Sequence, residues 1–169
     1  MIISGVEVPS VIVYIGIAAL VVLVLTVSIL SKGKLAYRKV ALFTPAEKNF
    51  LRALDRAIGS RYRVFGKCRI ADVVMPQKSL SKKKWNRHFW DISSKHFDYV
   101  IADKSTLEVL CVIELNDNSH ERRDRIQRDK MIDEVCRSAD LPLLWIKARQ
   151  RYDIAALSEH ITDSITSTI

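Results

Sequence analysis

The chain has 169 residues, of which 49% are apolar and 27% are charged, and this composition excludes the disordered and collagen-like classes. All 27 Lys and Arg and 18 of the 19 acidic residues follow residue 31, so residues 32–169 carry a net charge of +9. This surplus favours a polyanionic partner, either nucleic acid or an anionic membrane surface. Three cysteines without a CxxC or Cys/His cluster argue against a disulfide framework or a zinc site, and they fit a reducing compartment.

The N-terminal part contains an uncharged apolar segment, Val11 to Leu30. Twenty residues in a helix span roughly 30 Å, the thickness of the hydrocarbon core of a bilayer. We therefore predict a transmembrane helix over residues 11–31 and disfavour a helix buried in a soluble core, because the segment has no polar face. Residues 1–10 lack the basic leader of a signal peptide, and basic residues follow between Lys32 and Lys39. The positive-inside rule then predicts a single-pass inner-membrane protein with its N-terminus outside and residues 32–169 in the cytoplasm.

Residues 32–43 form a basic tether that can lie against anionic lipid headgroups, and the folded domain is expected over residues 44–169. Its start is the capping-box sequence Thr44-Pro45-Ala46-Glu47, followed by apolar residues at helical spacing. Farther along, β-branched and aromatic residues around Gly66 predict strand, bend and strand between Arg61 and Val74.

Residues 81–93 predict an amphipathic helix with Trp85 and Phe89 on its apolar stripe. Its basic residues are Lys82, Lys83, Lys84 and Arg87. They can contact phosphates while an aromatic side chain stacks on an unpaired base. The alternative is that they form only the solvated half of the helix and that Trp85 belongs to the core.

Two strand-like runs at residues 97–102 and 108–115 predict a hairpin. An amphipathic helix follows at residues 123–137, with Ile126 among the inward residues, and then a strand at residues 141–147. Asp153 is the expected cap of a last helix. This order of elements predicts an α/β fold in which helices flank a mixed sheet.

A hairpin that turns near Thr106 pairs positions whose numbers sum to 212, which places Asp98 opposite Glu114. Strand alternation puts Asn116 on the same side as Glu114. Such an oxygen-rich cluster suits a hard divalent cation, which would relieve the repulsion between the facing carboxylates. The alternative is a solvated hairpin edge, since a register slip of one residue separates the pair.

Several short motifs resemble a known family. They are Asp98 in FDYV, the run VIELNDNSH from Val112 to His120, Arg128-Asp129, Asp133, and LPLLWI from Leu141. Together they resemble the PD-(D/E)XK nuclease-like fold, and most closely the domain of unknown function 2726 family (DUF2726), from about Thr44 to the C-terminus. The resemblance implies a restriction-endonuclease-like core of a helix, three strands, a helix and a strand.

The resemblance also implies residue roles. Asp98 and Glu114 would hold Mg²⁺ or Mn²⁺, Glu47 would often join them, and His120 resembles a histidine that serves as general base. Glu47 can instead be only a helix cap, and His120 only a solvated loop residue.

Arg128 and Asp129 occupy polar positions of the family pattern on the following helix, and their alternative is a solvated helix face. Asn116 stands where the superfamily commonly has Lys and the closest family has Asp, and Trp145 stands where Arg is expected. These two departures weaken the metal site and remove a phosphate contact.

The leading hypothesis is a membrane-anchored cytoplasmic nuclease-like protein that binds nucleic acid, DNA in preference to RNA, and hydrolyses phosphodiester bonds with Mg²⁺ or Mn²⁺. In this hypothesis Asp98, Glu114, Asn116 and His120 form the catalytic set. The competing hypothesis is a membrane-bound nucleic-acid-binding or scaffold module without a working site, and Asn116 favours it.

Overall fold

The computed structural model describes residues 2–3, 6–7, 10–30, 37–116 and 123–167. His120 lies outside the described residues, as do Lys32 and Lys34 of the basic tether. The chain divides into two compact units, Met1–Val40 and Ala41–Ile169.

The first unit contains two short antiparallel strands, β1 (Ile2–Ile3) and β2 (Val6–Glu7), and helix α1 (Ser10–Leu30). Within α1, Ser10–Ser28 has a mean hydropathy of 2.8 and none of it is buried. The helix is therefore long and apolar enough to cross a membrane. The predicted apolar helix is confirmed, and its place in the inner membrane and its orientation stay predictions.

The second unit is an α/β structure built on a four-stranded mixed sheet. Its elements are α2 (Pro45–Ile58), β3 (Tyr62–Arg69), α3 (Ile70–Val73), α4 (Lys82–Ser93), β4 (His96–Asp103), β5 (Val109–Asn116), α5 (Arg123–Ser138), β6 (Leu143–Lys147) and α6 (Ile154–Thr166). The strand order is β3-β4-β5-β6; the first two pairings are antiparallel, and β5 pairs with β6 in parallel. Helix α5 makes the crossover that a parallel pair requires.

Each face of the sheet has its own apolar core. Cys111 and Ile113 of β5 pack in a first core with residues of α2 and α6, whereas Val112 packs in a second core with residues of α3, α4 and α5. The alternation along β5 shows that the two cores lie on opposite faces. The mixed sheet with flanking helices matches the predicted class.

Two predicted helix caps are confirmed. Thr44 and Glu47 form the reciprocal capping box of α2, and Asp153 accepts hydrogen bonds from the first turn of α6. The predicted strand-bend-strand is wrong, because β3 is one strand and the chain then turns into α3. Ile70 and Ala71 of α3 are buried in the second core, and this burial favours a helical turn over a second strand.

The inward position of Ile126 is also wrong, since this side chain is 48% exposed. The buried stripe of α5 runs through Ile132 and Cys136. Helical spacing from these residues leads back to Arg128 rather than to Ile126. The sheet-facing side of α5 therefore carries an arginine in its first turns.

Candidate functional site

The candidate site lies where β4 and β5 separate. The strands pair at Val100–Val112 and Tyr99–Ile113, as the predicted sum of 212 requires. Beyond these pairs, the backbone N–H of Asp98 donates to Oε1 of Glu114 at 3.3 Å. The two strands therefore continue their contact through side chains, and we call the segment around Asp98 and Glu114 the strand fork.

The two carboxylates of the strand fork are buried, with Asp98 8% and Glu114 2% exposed. Oδ2 of Asp98 accepts the backbone N–H of Leu115 at 3.1 Å, the reciprocal of the bond that Glu114 accepts. The predicted alternative of a solvated hairpin edge is therefore wrong for these side chains.

A lysine that the sequence analysis did not select joins the strand fork to α2. Nζ of Lys67, on β3, lies 2.7 Å from Oδ1 of Asp98 and 2.6 Å from Oε1 of Glu47. The ammonium group thus bridges two carboxylates that come from different elements. Glu47 is brought to the predicted acids through Lys67 and not by a direct contact.

The backbone of β3 changes side at Lys67, whose φ is +56°. Val64 packs against the first core and Cys68 against the second, although residues of the same parity face one side of a regular strand. The neighbouring strand shows the same reversal, since Phe97 lies in the second core and Tyr99 in the first. Lys67 and Asp98 therefore occupy the level at which both strands switch faces.

An aromatic contact fixes the start of α2 over this level. The ring of Phe43 stacks on Tyr99 with 5.9 Å between centroids, and the Tyr99 hydroxyl donates to the backbone oxygen of Glu47 at 2.7 Å. A Cβ at Gly66 would lie 2.3 Å from the Phe43 ring, so any other residue there would displace this ring from its stack on Tyr99.

The capping role of Glu47 and its contact to the site coexist. Oε2 accepts the backbone N–H of Thr44 at 2.7 Å, while Oε1 binds Lys67. Burial by itself raises the pKa of Glu47, but the hydrogen bonds from Lys67 and Thr44 and the lysine charge lower it overall. The two carboxylate oxygens allow the cap and the contact to Lys67 to coexist, and the role of Glu47 as a metal-binding acid stays a prediction.

Arg128 binds the other carboxylate of the strand fork. Its Nη2 lies 3.0 Å from Oε2 of Glu114, so the predicted solvated helix face is wrong for this residue. Asp129 is half-buried, and its side chain makes no hydrogen bond or ion pair with the described part of the chain.

Burial dominates the electrostatics of the site. It raises the pKa of Glu114 to about 7, helped by the charge of Asp98 and opposed by Arg128. For Lys67, burial works against the charged form, yet the hydrogen bonds to Asp98 and Glu47 raise the pKa of the ammonium group overall. Counting the described residues alone, three carboxylates against two cations leave the fully ionised cluster with one excess negative charge.

The donor set consists of oxygens, which Mg²⁺ and Mn²⁺ prefer. Among the described residues, no group of three His, Cys, Asp or Glu side chains is placed to hold a metal. The four oxygens of Asp98 and Glu114 already accept hydrogen bonds from Lys67, Leu115, Asp98 N–H and Arg128. A carboxylate oxygen can accept more than one partner, so these hydrogen bonds do not use every lone pair of the two carboxylates, and metal binding stays a prediction.

The remaining predicted positions, Asn116, Trp145 and His120, differ in their surroundings. Asn116 is exposed at the end of β5, on the side of Glu114, and pairs in register with Lys147 of β6. Trp145 stands where Arg is expected, and its indole N–H donates to Asp133 at 2.9 Å. His120 lies outside the described residues.

The four basic residues predicted to bind nucleic acid are exposed along α4: Lys82, Lys83, Lys84 and Arg87. Trp85 is half-buried and stacks on Phe89 with 5.2 Å between centroids, whereas Trp90 is 70% exposed. The amphipathic helix is confirmed, and phosphate binding by its basic residues stays a prediction.

The contacts of two site residues, Lys67 and Arg128, with the carboxylates of the strand fork were not predicted from the sequence. Gly66 inside a strand pattern signals a bulge or a close backbone approach, and this signal marks the place where Lys67 changes sides. Arg128 follows from helical spacing once Ile132 and Cys136 are taken as the buried stripe.

The second unit is therefore an α/β domain with a buried cluster of carboxylates and cations at a strand fork. The sequence profile of the family described as "Protein of unknown function (DUF2726)" matches residues 39–165, and the chain belongs to that family. No curated protein and no solved structure matches the chain significantly.

Proposed function

We propose that this chain is a membrane-anchored nuclease-like protein with a restriction-endonuclease-like fold, which hydrolyses phosphodiester bonds of nucleic acid with Mg²⁺ or Mn²⁺. The observation that carries the proposal is the burial of Asp98 and Glu114 at one strand fork, in a cluster with excess negative charge. Burying two carboxylates together is unfavourable without a cation or a proton, and Lys67 and Arg128, the two cations that contact the cluster among the described residues, do not fully balance it when all three carboxylates are ionised.

Asp98 and Glu114 would hold the divalent cation, and the amide oxygen of Asn116 would add a neutral ligand from the same side of β5. The cation would supply charge neutralisation at the phosphoryl oxygen and a water of lowered pKa. Arg128 orients Glu114 through the contact to Oε2. His120 is proposed to position or activate the water as a general base.

The exposed basic residues of α4 would bind the phosphates of nucleic acid, DNA in preference to RNA. Replacing Lys82, Lys83 and Lys84 together with Gln should weaken binding and flatten its salt dependence, by roughly 0.7 to 0.9 in the log–log slope for each lost phosphate contact. An unchanged affinity and slope in a folded triple variant would assign these lysines to a solvated face.

The membrane part of the proposal is a single span with the N-terminus outside and the second unit in the cytoplasm. It rests on the apolar helix α1 and on the basic residues that follow it. Cys68, Cys111 and Cys136 are free thiols. A membrane-impermeant thiol reagent added to intact cells should leave them unmodified, even in protein that is unfolded but still inserted. Their modification would show that the second unit lies outside and that the proposed orientation is wrong.

A second candidate is a nucleic-acid-binding or scaffold module that does not cut. The specific observation in its favour is that each oxygen of Asp98 and Glu114 already has a donor from the protein, so the cluster satisfies itself as a structural network. The neutral Asn116 at the end of β5 points the same way.

The experiment that separates the two uses the full-length chain in detergent micelles. Single- and double-stranded DNA and RNA are incubated with it in Mg²⁺, in Mn²⁺ and in excess EDTA. We expect metal-dependent cleavage by the parent protein and its loss in Glu114→Gln. Binding without cleavage under all metal conditions would favour the scaffold module, and cleavage that persists in EDTA would remove the metal from the proposal.

A further inference from the structure

We propose that the loop between β6 and α6 binds the phosphate backbone of nucleic acid, at the end of the sheet where the strand fork lies. We call residues 147–151 the cationic loop, after the exposed side chains of Lys147, Arg149 and Arg151. The proposal rests on the proposed nucleic-acid partner and adds a second binding surface to the basic residues of α4. It requires no bound metal.

The first argument is the position of the cationic loop. Strands β5 and β6 are parallel, and Asn116, two residues beyond Glu114, pairs in register with Lys147. Paired residues point to the same side of a sheet, so Lys147 extends the face that carries Glu114 and Asn116. The backbone N–H of Ala148 also donates to the carbonyl oxygen of Asn116 at 2.7 Å. A polyanion bound to the cationic loop would therefore lie beside the strand fork.

The second argument is that contacts within the protein fix the backbone of the loop. The side-chain amide of Asn49 donates to the carbonyl oxygens of Arg149 and Gln150, at 2.9 and 3.1 Å. The backbone N–H of Arg149 donates to the hydroxyl of Tyr152 at 2.8 Å, and the ring of Tyr152 packs edge-on against Phe50. Binding would then order side chains but not the loop itself, which lowers its entropic cost.

The third argument is the charge of the loop. The cations of the strand fork are paired with carboxylates, whereas none of the three cations of the cationic loop forms an ion pair with the described part of the chain. Residues 141–152 contain no Asp or Glu, and the carboxylate of Asp153 caps the first turn of α6. The positive charge is therefore available to an external anion.

The side chains of the loop favour nucleic acid over a lipid surface. The guanidinium groups of Arg149 and Arg151 can each bind a phosphate through two N–H donors. A surface that lies in lipid headgroups combines basic side chains with exposed apolar ones. The exposed large apolar side chains of the described residues include none in the cationic loop. The loop thus has the donors for a phosphate backbone and no side chain for insertion into a bilayer.

The first test measures DNA binding by the full-length chain in detergent and excess EDTA, using fluorescence anisotropy over a range of salt concentrations. The variant combines Lys147→Gln, Arg149→Gln and Arg151→Gln. We expect its affinity to fall at least about tenfold near 100 mM salt, and its log–log salt slope to flatten by roughly 2 to 3, since each lost contact removes roughly 0.7 to 0.9.

The matched control removes three exposed cations where β3 begins and at the hairpin turn, at the other end of the sheet: Arg61→Gln, Arg63→Gln and Lys104→Gln. It changes the net charge equally, and its affinity should stay within about threefold of the parent. Equal losses in the two triple variants would reduce the effect to net charge and overturn the proposal.

A second measurement uses the parent protein and does not depend on the folding of a variant. Phenylglyoxal modifies exposed arginines, and mass spectrometry resolves the modified positions. Bound DNA should protect Arg149 and Arg151 and leave Arg63 reactive. Protection by mixed micelles that contain phosphatidylglycerol, but not by DNA, would make the loop a lipid-binding surface and overturn the proposal.

The remaining outcomes separate this inference from the proposed function. DNA binding by the parent without protection of Arg149 and Arg151 would overturn the role of the loop and leave nucleic-acid binding standing. Protection of both arginines by DNA without cleavage in Mg²⁺ or Mn²⁺ would support the loop and overturn the proposed hydrolysis. A parent that binds no nucleic acid would overturn both.

Discussion

The β4–β5 hairpin carries buried carboxylates at its open end and a half-buried carboxylate at its turn, and at both ends backbone N–H groups donate hydrogen bonds to these carboxylates. At the turn, Asp103 accepts the backbone N–H groups of Ser105 and Thr106, at 2.7 and 3.0 Å. At the open end, Asp98 and Glu114 accept N–H groups from the opposite strand. The turn is thus closed by local contacts, while the strand fork is closed by contacts across the hairpin.

The two ends also differ in their cations. Asp103 accepts hydrogen bonds from residues two and three positions away and is only half-buried. The strand fork needs Lys67 from β3 and Arg128 from α5. A local carboxylate cap requires only the turn sequence, whereas a buried acidic cluster requires the whole sheet and its crossover helix. This difference separates a structural carboxylate from a candidate site.

The largest expected effect is on cleavage, which should depend on the strand fork and not on the turn. Glu114→Gln keeps the shape of the side chain but removes a charge that would neutralise the metal, and it should lower turnover at least about a hundredfold. Single-turnover cleavage in Mn²⁺ measures the effect, with Asp103→Asn as the matched variant at the turn end. Equal rates for Glu114→Gln and the parent would exclude the strand fork as the site of cleavage.

The second prediction concerns stability against pH. The pKa of Glu114 is raised from 4.5 to about 7, so between these values the unfolded chain ionises while the folded chain keeps its proton. The free energy of unfolding of the parent relative to Glu114→Gln should therefore fall by about 3 kcal/mol from pH 4.5 to 7 and then level off.

Urea unfolding of both proteins without divalent metal, at half-unit pH steps, measures this difference. Contributions from Glu47 and Lys67 are present in both proteins and largely cancel. A difference that rises with pH over this range would mean that Glu114 is stabilised as the charged form.

A third, smaller effect is expected for Arg128→Gln. The variant leaves Glu114 buried without its cation, but the acid can take up a proton, and Arg128 is itself partly exposed. We expect a loss of about 1–2 kcal/mol at pH 8 and a smaller loss at pH 5, where Glu114 is already protonated. Urea unfolding at the two pH values is the measurement, and an equal loss at both would assign Arg128 to packing rather than to charge.

The sequence contains the information for the local parts of this site. The predicted register holds at the open end of the hairpin and brings Asp98 and Glu114 together, although an irregularity between Ile101 and Ala102 shifts the register next to the turn. The capping box of Glu47 is a local pattern of four residues. The bridge by Lys67 was not predictable, because it depends on a positive φ that reverses the alternation of β3. Alternation is the assumption on which a strand is interpreted from sequence.

The smallest expected effect belongs to the turn end and has the opposite sign with pH. The hydrogen bonds from Thr106 and Ser105 lower the pKa of Asp103 below 3.8, so its stabilising contribution is present above that value and is lost as the pH falls through the folded pKa. Asp103→Asn should therefore destabilise the protein slightly at pH 7, by less than Arg128→Gln, and the loss should be smaller at pH 2. Thermal unfolding of parent and variant at both pH values provides the comparison. A loss that grows in acid would mean that the ionised carboxylate does not stabilise the turn. The turn and the strand fork would then not have opposite pH dependences.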